Sequence, residues 1–478
     1  MHFLLAQSGD MHLYGFEGTL AEKVFIGGIS AAVLFALVTV KISLRQWLLA
    51  GILFANALTP PLAEAGTQYG GTWMLPLQIR RADLHLGISV LLLLTCFATR
   101  LSVRWLSAQG LILLAVGLYA ALLRFYHDDA RTGVESTLFA LGVIPVMILV
   151  LPLVCGTFEK SMATVRMMVW VSVVWIFCCA VQFVINPQML LNDNGRFQGM
   201  LANPQGAGLW CGAMAVIALG LLLYDPQRRL KLLYIGVLAM NLLFVMWTAS
   251  RTAAVVAFVG AAVMLVGRGG RSLLLLPGAG LLIILLISLA NALGIQENLD
   301  RFTSGEDTRT QVWAVQLSQA LESPLLGIGI GRTYSENSYL SGFASFGIGM
   351  LGLLLLYTLV SGFICLRLYT GRNLLTRPER GLLYMTLSWH AMYFAGALAE
   401  GFMIARSSTQ QTMMFLFAGV AIYLTSRIED ERVAAEAGPY AHADDDAYGQ
   451  DGLEHAGDQG DGYDRGLDRT GGEEPARA

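Results

Sequence analysis

The sequence predicts an all-α polytopic membrane protein, with about 12–14 transmembrane helices and one long periplasmic loop containing an amphipathic helix. Three observations carry that prediction. Of the 478 residues 55% are apolar and only 14% are charged, where a soluble domain carries about a quarter charged. Apolar runs of about 17 residues or more recur from Val24 to about Thr425, each long enough to cross a hydrocarbon core of roughly 30 Å as a helix. Short basic clusters fall in alternate loops, as they do where a chain crosses a membrane repeatedly.

The apolar runs place spans near residues 24–41, 46–60, 84–99, 105–124, 136–156, 164–185, 205–224, 231–249, 251–267, 272–292, 340–366, 381–402 and 409–426. The segment from Met1 to Glu22 carries acids and no long apolar core, which is unlike a secretory signal peptide. Arg228, Arg229 and Lys231 follow one span, Arg268 and Arg271 another, and Arg372, Arg377 and Arg380 a third. Lys41/Arg45, Arg100/Arg104 and Lys160/Arg166 fall on the same side. That side is therefore assigned to the cytoplasm.

The opposite side receives residues 186–204, the bend Thr248-Ala-Ser-Arg251-Thr252, a loop over 293–339, and the bend around Glu400 and Arg406. Loops as long as 293–339 are functional or disordered in compact proteins, and this one has pattern. Val312, Val315, Leu317 and Leu321 are expected near one face of a helix over 308–323. Asp307 or Thr308 is placed to cap it and Pro324 to stop it. Such a helix lies on the outer leaflet.

Arg196, Arg251 and Arg309 come from three of these outer segments. An arginine at a bilayer is costly unless it pairs or meets water, and the planar guanidinium fork suits phosphate. Three on one rim predict a site for a strongly anionic, lipid-linked ligand. Singly, each is equally well read as an anchor reaching for the headgroups. The cysteines Cys96, Cys155, Cys178, Cys179, Cys211 and Cys365 lie in or beside spans without metal-ligand spacing and read as packing residues. No metal and no cofactor is expected, and no nucleic-acid partner. Residues 428–478 hold 15 of the 34 acids and almost no large apolar side chains, so they read as a disordered acidic cytoplasmic tail. Residues 1–23 form an N-terminal segment.

Four motifs in order resemble the O-antigen ligase and polymerase superfamily: Arg196-Phe-Gln-Gly-Met-Leu-Ala-Asn203-Pro, Thr248-Ala-Ser250-Arg251-Thr252, Arg309-Thr-Gln-Val-Trp313 with Ser323-Pro-Leu-Leu-Gly-Ile-Gly-Ile-Gly331, and Glu336-Asn337-Ser-Tyr339 with Gly347-Ile-Gly-Met-Leu-Gly352. They cover about residues 186–366. The resemblance implies that residues 24–427 form a metal-independent, inverting glycosyltransferase of the bacterial inner membrane with its site facing the periplasm. Its donor would be a glycan on undecaprenyl pyrophosphate, and its acceptor another glycan or the lipid A core. Arg309 and Arg251 would stabilise the leaving diphosphate, with Arg196, Asn203, Asn337 and Tyr339 binding substrate. Where ligases of the family carry a histidine, this chain has Glu336, and no histidine lies between His127 and His390. Glu336 is therefore expected to be the catalytic base, against the plainer expectation that it caps a helix or pairs with an arginine. Loss of the histidine favours a polymerase of repeat units over a ligase. A lipid-linked glycan transporter is the alternative of another class, although no internal repeat is visible.

The remaining polar candidates are weaker. Arg80, Arg81 and Asp83 are expected to anchor a helix start, His390 to be a hydrogen-bonded packing residue, and Glu400 to pair with Arg406. The Gly327-x-Gly-x-Gly331 run follows no strand and so is no dinucleotide fingerprint. It is expected to be a flexible turn.

Overall fold

The computed structural model describes residues 43–59, 72–97, 107–128, 130–192, 194–201, 203–268, 309–330, 336–404 and 408–437. Among these the fold is all-α, with one isolated antiparallel bridge between Leu191 and Phe197. In chain order the helices are α1 (Leu44–Asn56), α2 (Leu75–Ile79), α3 (Arg81–Phe97), α4 (Ala108–His127), α5 (Ala130–Leu138) and α6 (Ile144–Cys155). A π-helical turn over Phe139–Val143 joins the last two. Then follow α7 (Phe158–Ile185), α8 (Pro204–Tyr224), α9 (Lys231–Thr248), α10 (Arg251–Arg268), α11 (Arg309–Glu322), α12 (Ser338–Thr370), α13 (Arg377–Ala397) and α14 (Thr409–Ala437).

Seven helical stretches among the described residues are long and apolar enough to cross a membrane, and Asp83–Cys96 and Arg251–Gly267 are shorter apolar helices. The molecule is thus suited to crossing a bilayer several times. The expected spans at 24–41 and 272–292 lie outside the described residues. Helix α14 continues to Ala437, past the expected start of the tail at 428, and residues 438–478 also lie outside. The chain divides into two units, residues 1–428 and 429–478.

Helix starts follow capping chemistry. Ser43 and Gln46 form a capping box on α1, as do Thr376 and Glu379 on α13. Ser107 and Thr157 cap α4 and α7. Each satisfies backbone N–H groups that no intrahelical carbonyl can reach. Close packing requires small residues where helices cross. A Cβ at Gly208 of α8 would lie 2.9 Å from Ala253, Ser250 and Thr248, and one at Gly212 would lie 3.2 Å from the Ala253 carbonyl. Glycine there lets α8 press against the bend that joins α9 to α10.

Helix α12 is not one straight rod. Gly347 has φ 76° and ψ −173°, a conformation open essentially to glycine alone. The Tyr339 hydroxyl bonds the Thr358 hydroxyl at 2.8 Å across nineteen residues, whereas a straight helix would separate their backbones by about 28 Å. The chain therefore reverses at Gly347. A half-helix over 338–346 lies beside a long limb over 348–370, and only that limb, at about 34 Å, is a full span. The segment before it locks the reversal: Ile348 N–H donates to Pro324 O at 2.8 Å, Ile328 N–H to Ala344 O at 2.8 Å and Gly329 N–H to Ser345 O at 3.1 Å. The glycine run is consequently held in place over 327–330 rather than flexible, with positive φ at Gly327 and Gly329. Gly331 lies outside the described residues.

Asp225, just past the end of α8, makes a two-pronged pair with Arg166 of α7 at 2.8 and 2.7 Å and accepts the Tyr234 hydroxyl at 2.6 Å. Burial works against the ionised form, yet these donors prevail and hold the Asp225 carboxyl below its ordinary range.

Candidate active site

The five residues that turn α9 into α10 collect the three arginines. Ala249 ends α9 in the left-handed conformation, φ 50°. Ser250 Oγ accepts the Ala253 N–H at 3.3 Å, starting α10 with Arg251 as its first residue.

Arg196 reaches this bend from a tight loop. Asn192 N–H donates to Arg196 O and Asn192 Oδ1 accepts Arg196 N–H, both at 2.9 Å. Phe197 then plugs into an aromatic nest, stacked on Phe244 and Trp247 with centroids 4.4 and 5.3 Å away. Gly199 is required beneath, since a Cβ there would meet the Trp175 ring at 2.7 Å. The loop so fixed lays Arg196 Nε on the Thr248 carbonyl at 2.8 Å. A cation at the carbonyl end of α9 is electrostatically well placed.

Arg309 arrives from the opposite side. The spacing of Arg309, Trp313, Gln316 and Ala320 puts them on one helical stripe, and Gln316 and Ala320 are buried. Val315, Leu317 and Leu321 are exposed, on the side of α11 turned away from the protein. The expected cap at 307–308 lies outside the described residues. Arg309 donates to the Thr252 hydroxyl, to Ala399 O at 3.2 Å, and to Glu400 Oε1 at 3.4 Å.

Glu400 lies beyond the end of α13 at Ala397 and is buried. It pairs with Arg309; Arg406, the partner expected from sequence, lies outside the described residues. Its backbone carbonyl accepts the Ser338 hydroxyl at 2.6 Å, and Ser338 Oγ accepts the Met403 N–H at 3.2 Å. Burial pushes the Glu400 carboxyl up to about 7, Arg309 pulls against that, and the charge of Glu336 adds to it. Glu336 is therefore an electrostatic neighbour of Glu400. The Glu336 carbonyl accepts from Gln316 Nε2 and from Ser341 Oγ, while its carboxylate oxygen Oε2 is buried and accepts no hydrogen bond among the described residues.

Arg251 and Arg309 open α10 and α11, with the carboxylates Glu400 and Glu336 near Arg309. A cation at a helix N-terminus is opposed by the helix dipole, by about 0.3–1 kcal/mol each. Two such placements are a liability for stability and an asset for binding an anion.

The other expected site residues hold backbone. Asn203 Oδ1 accepts Gln205 N–H at 2.8 Å and caps α8. Asn337, at φ 63°, caps α12 by accepting from Tyr339 and Leu340 N–H. Tyr339 points its hydroxyl to Thr358. Arg80 pairs with exposed Asp83 at 3.2 Å and Arg81 donates to Thr59 Oγ1 at 2.9 Å, so both anchor the start of α3. His390 sits between Thr386 O at 2.8 Å and Gln109 Nε2 at 3.2 Å, a hydrogen-bonded packing residue. Thr252, Ser338, Gln316 and Glu400 belong to the site and were not singled out from sequence as its members. Only the stripe through Arg309 and Gln316 carried a signal for one of them. No group of three or more potential ligands for a metal ion occurs among the described residues. No protein-family model matches the chain and no curated protein matches it, so a functional reading has to stand on this geometry.

Proposed function

We propose that the protein is an inner-membrane glycosyltransferase that moves a glycan from undecaprenyl pyrophosphate to a sugar hydroxyl and so lengthens a polysaccharide of repeat units. In this reading the chain crosses the membrane 12–14 times, with 186–204 and 293–339 on the periplasmic side. The observation that supports it is the meeting of Arg196, Arg251 and Arg309 at one bend, with a buried carboxylate oxygen of Glu336 that accepts no hydrogen bond among the described residues.

The acceptor hydroxyl attacks the anomeric carbon as the bond from that carbon to the diphosphate oxygen breaks. The electron pair leaves with the diphosphate, whose growing charge meets Arg309, Arg251 and the positive start of α10. The hydroxyl proton passes to Glu336 Oε2, an oxygen that no donor among the described residues occupies. Attack opposite the leaving group inverts the anomeric centre.

Purified protein in liposomes containing the lipid-linked repeat unit tests this directly. A ladder of lengthened lipid-linked glycan is the expected product, and Glu336→Gln is expected to abolish it. Transfer of finished chains to lipid A core without lengthening would make the protein a ligase. Translocation without transfer would refute the proposal.

A further inference from the structure

Glu400 is a carboxylate in the middle of a site otherwise built to attract anions, and the reaction just described gives it no task. It shares Arg309 with Ala399 O and the Thr252 hydroxyl. Its own backbone is tied through Ser338 to the start of α12, so the carboxyl cannot leave the site by a shift of its loop alone. The Arg309 and Glu400 side chains keep 31% and 11% of their surface exposed, so Arg309 is the partner open to a ligand.

We propose that Glu400 stands in for the diphosphate: it occupies Arg309 in the empty site, and the arriving diphosphate displaces it, leaving Glu400 to take up a proton. This assignment rests on the glycosyltransferase reading, because it presumes a diphosphate at Arg309. The charged groups facing Glu400 among the described residues are Arg309 from the start of α11 and Glu336 from the segment before α12, with Thr252 of α10 as a neutral neighbour. Before binding, Arg309 compensates the carboxylate. After binding, two phosphate charges claim the guanidinium, and Glu400 would be left ionised, buried and beside Glu336. Protonation relieves that conflict. The balance is simple: one diphosphate enters, one proton comes from solvent, and no covalent bond to carbon changes. The carboxyl already lies near neutrality in the empty site, so the exchange costs little at physiological pH.

The direction follows from the ionisation. Below about pH 6 Glu400 is already neutral and no longer holds Arg309 as a counter-charge. Above about pH 8 the ligand has to displace an ionised carboxylate. With full mutual exclusion by a group that titrates at about 7, the dissociation constant rises about thirtyfold between about pH 6 and about pH 8.5, which is the ceiling.

The test is calorimetric binding of farnesyl-diphospho-N-acetylglucosamine to the purified full chain in detergent. This probe is a diphosphate diester whose own charges stay constant over that range. The wild-type protein is expected to bind more weakly as pH rises and, in buffers of different ionisation enthalpy, to take up close to one proton per ligand at about pH 8 and none below about pH 6. Glu400→Gln, which keeps the shape and an accepting oxygen, is expected to bind with little pH dependence and no proton uptake, with KM for the donor lowered above neutrality. Wild-type binding without pH dependence or proton uptake overturns the role given to Glu400 and leaves the glycosyltransferase reading standing. So does a Glu400→Gln variant that keeps the wild-type profile. Failure of the wild-type protein to bind the probe at any pH defeats the diphosphate site itself. The wild-type profile needs no variant to fold, so the test holds if Glu400→Gln cannot be purified.

Discussion

Gly347→Ala is the substitution with the largest effect for the smallest change of atoms. A Cβ built on Gly347 lies 2.1 Å from Leu325 O, 2.4 Å from Leu325 C and 2.8 Å from Leu326 N. All three are backbone atoms, so no side chain can swing aside. The φ of 76° with ψ −173° adds roughly 1–3 kcal/mol of strain for any residue with a Cβ. Relieving the clash separates the 324–329 segment from the half-helix and endangers the bonds from Ile348 to Pro324, Ile328 to Ala344 and Gly329 to Ser345, each worth about 0.5–1.5 kcal/mol. Together these give about 3–7 kcal/mol, a large part of the whole stability of a typical protein. Thermal unfolding of the purified variant in detergent should show a drop of many degrees, and glycan transfer should be lost even below the new melting temperature. Loss of transfer there follows because Ser338 opens the displaced half-helix and Glu336 lies just before it. Gly352→Ala is the internal control. Its Cβ meets nothing within 4 Å, so alanine should be neutral or stabilising by up to about 1 kcal/mol. Gly347→Ala melting within about 1 °C of wild type would refute the reversal at that residue.

Three further outcomes are expected. Arg309→Ala should lower kcat by about 10²–10³, the loss seen on removing one preorganised donor to a developing negative charge, and Arg309→Lys should restore little because a point charge cannot serve Thr252, Ala399 and a phosphate together; single-turnover transfer in liposomes measures both. Asp225→Asn should cost up to about 3 kcal/mol by leaving the half-buried Arg166 without its counter-charge, read as lowered thermal stability. Because the Asp225 carboxyl is held below its ordinary range, its stabilisation is complete above about pH 4 and is lost as pH falls through the lowered value; the variant should lack that acid-side slope. Gly208→Val should push α8 off the α9–α10 bend, since a first side-chain carbon is already 2.9 Å from three neighbours, and it should impair transfer more than protein yield.

Much of this molecule could be read before its coordinates. Long apolar runs located the helices because helix length in a bilayer is dictated by bilayer thickness. The bend at Arg251 was legible only together with Arg196 and Arg309, because a single cation between two apolar runs also reads as a headgroup anchor. Other features were hidden for physical reasons. The reversal at Gly347 sits inside a continuous apolar stretch, and a single glycine there reads equally well as a helix-packing residue. The pairing of Glu400 with Arg309, ninety-one residues away, was not foreseen, and no local pattern encodes such a pairing. Asp225 and Arg166, fifty-nine residues apart, were missed in the same way. Asn203 and Asn337 were noticed as polar residues in a suggestive motif, yet their carbonyl oxygens cap helices, as asparagine commonly does.

The tight seating of α8 on the α9–α10 bend has one more implication. With Gly208 and Gly212 leaving no slack and Phe197 wedged among aromatic rings, the attachment points of Arg196 and Arg251 are fixed relative to each other. In the function proposed above, a lipid-linked diphosphate would therefore meet cations on a preset frame rather than a surface that moulds itself to its guest.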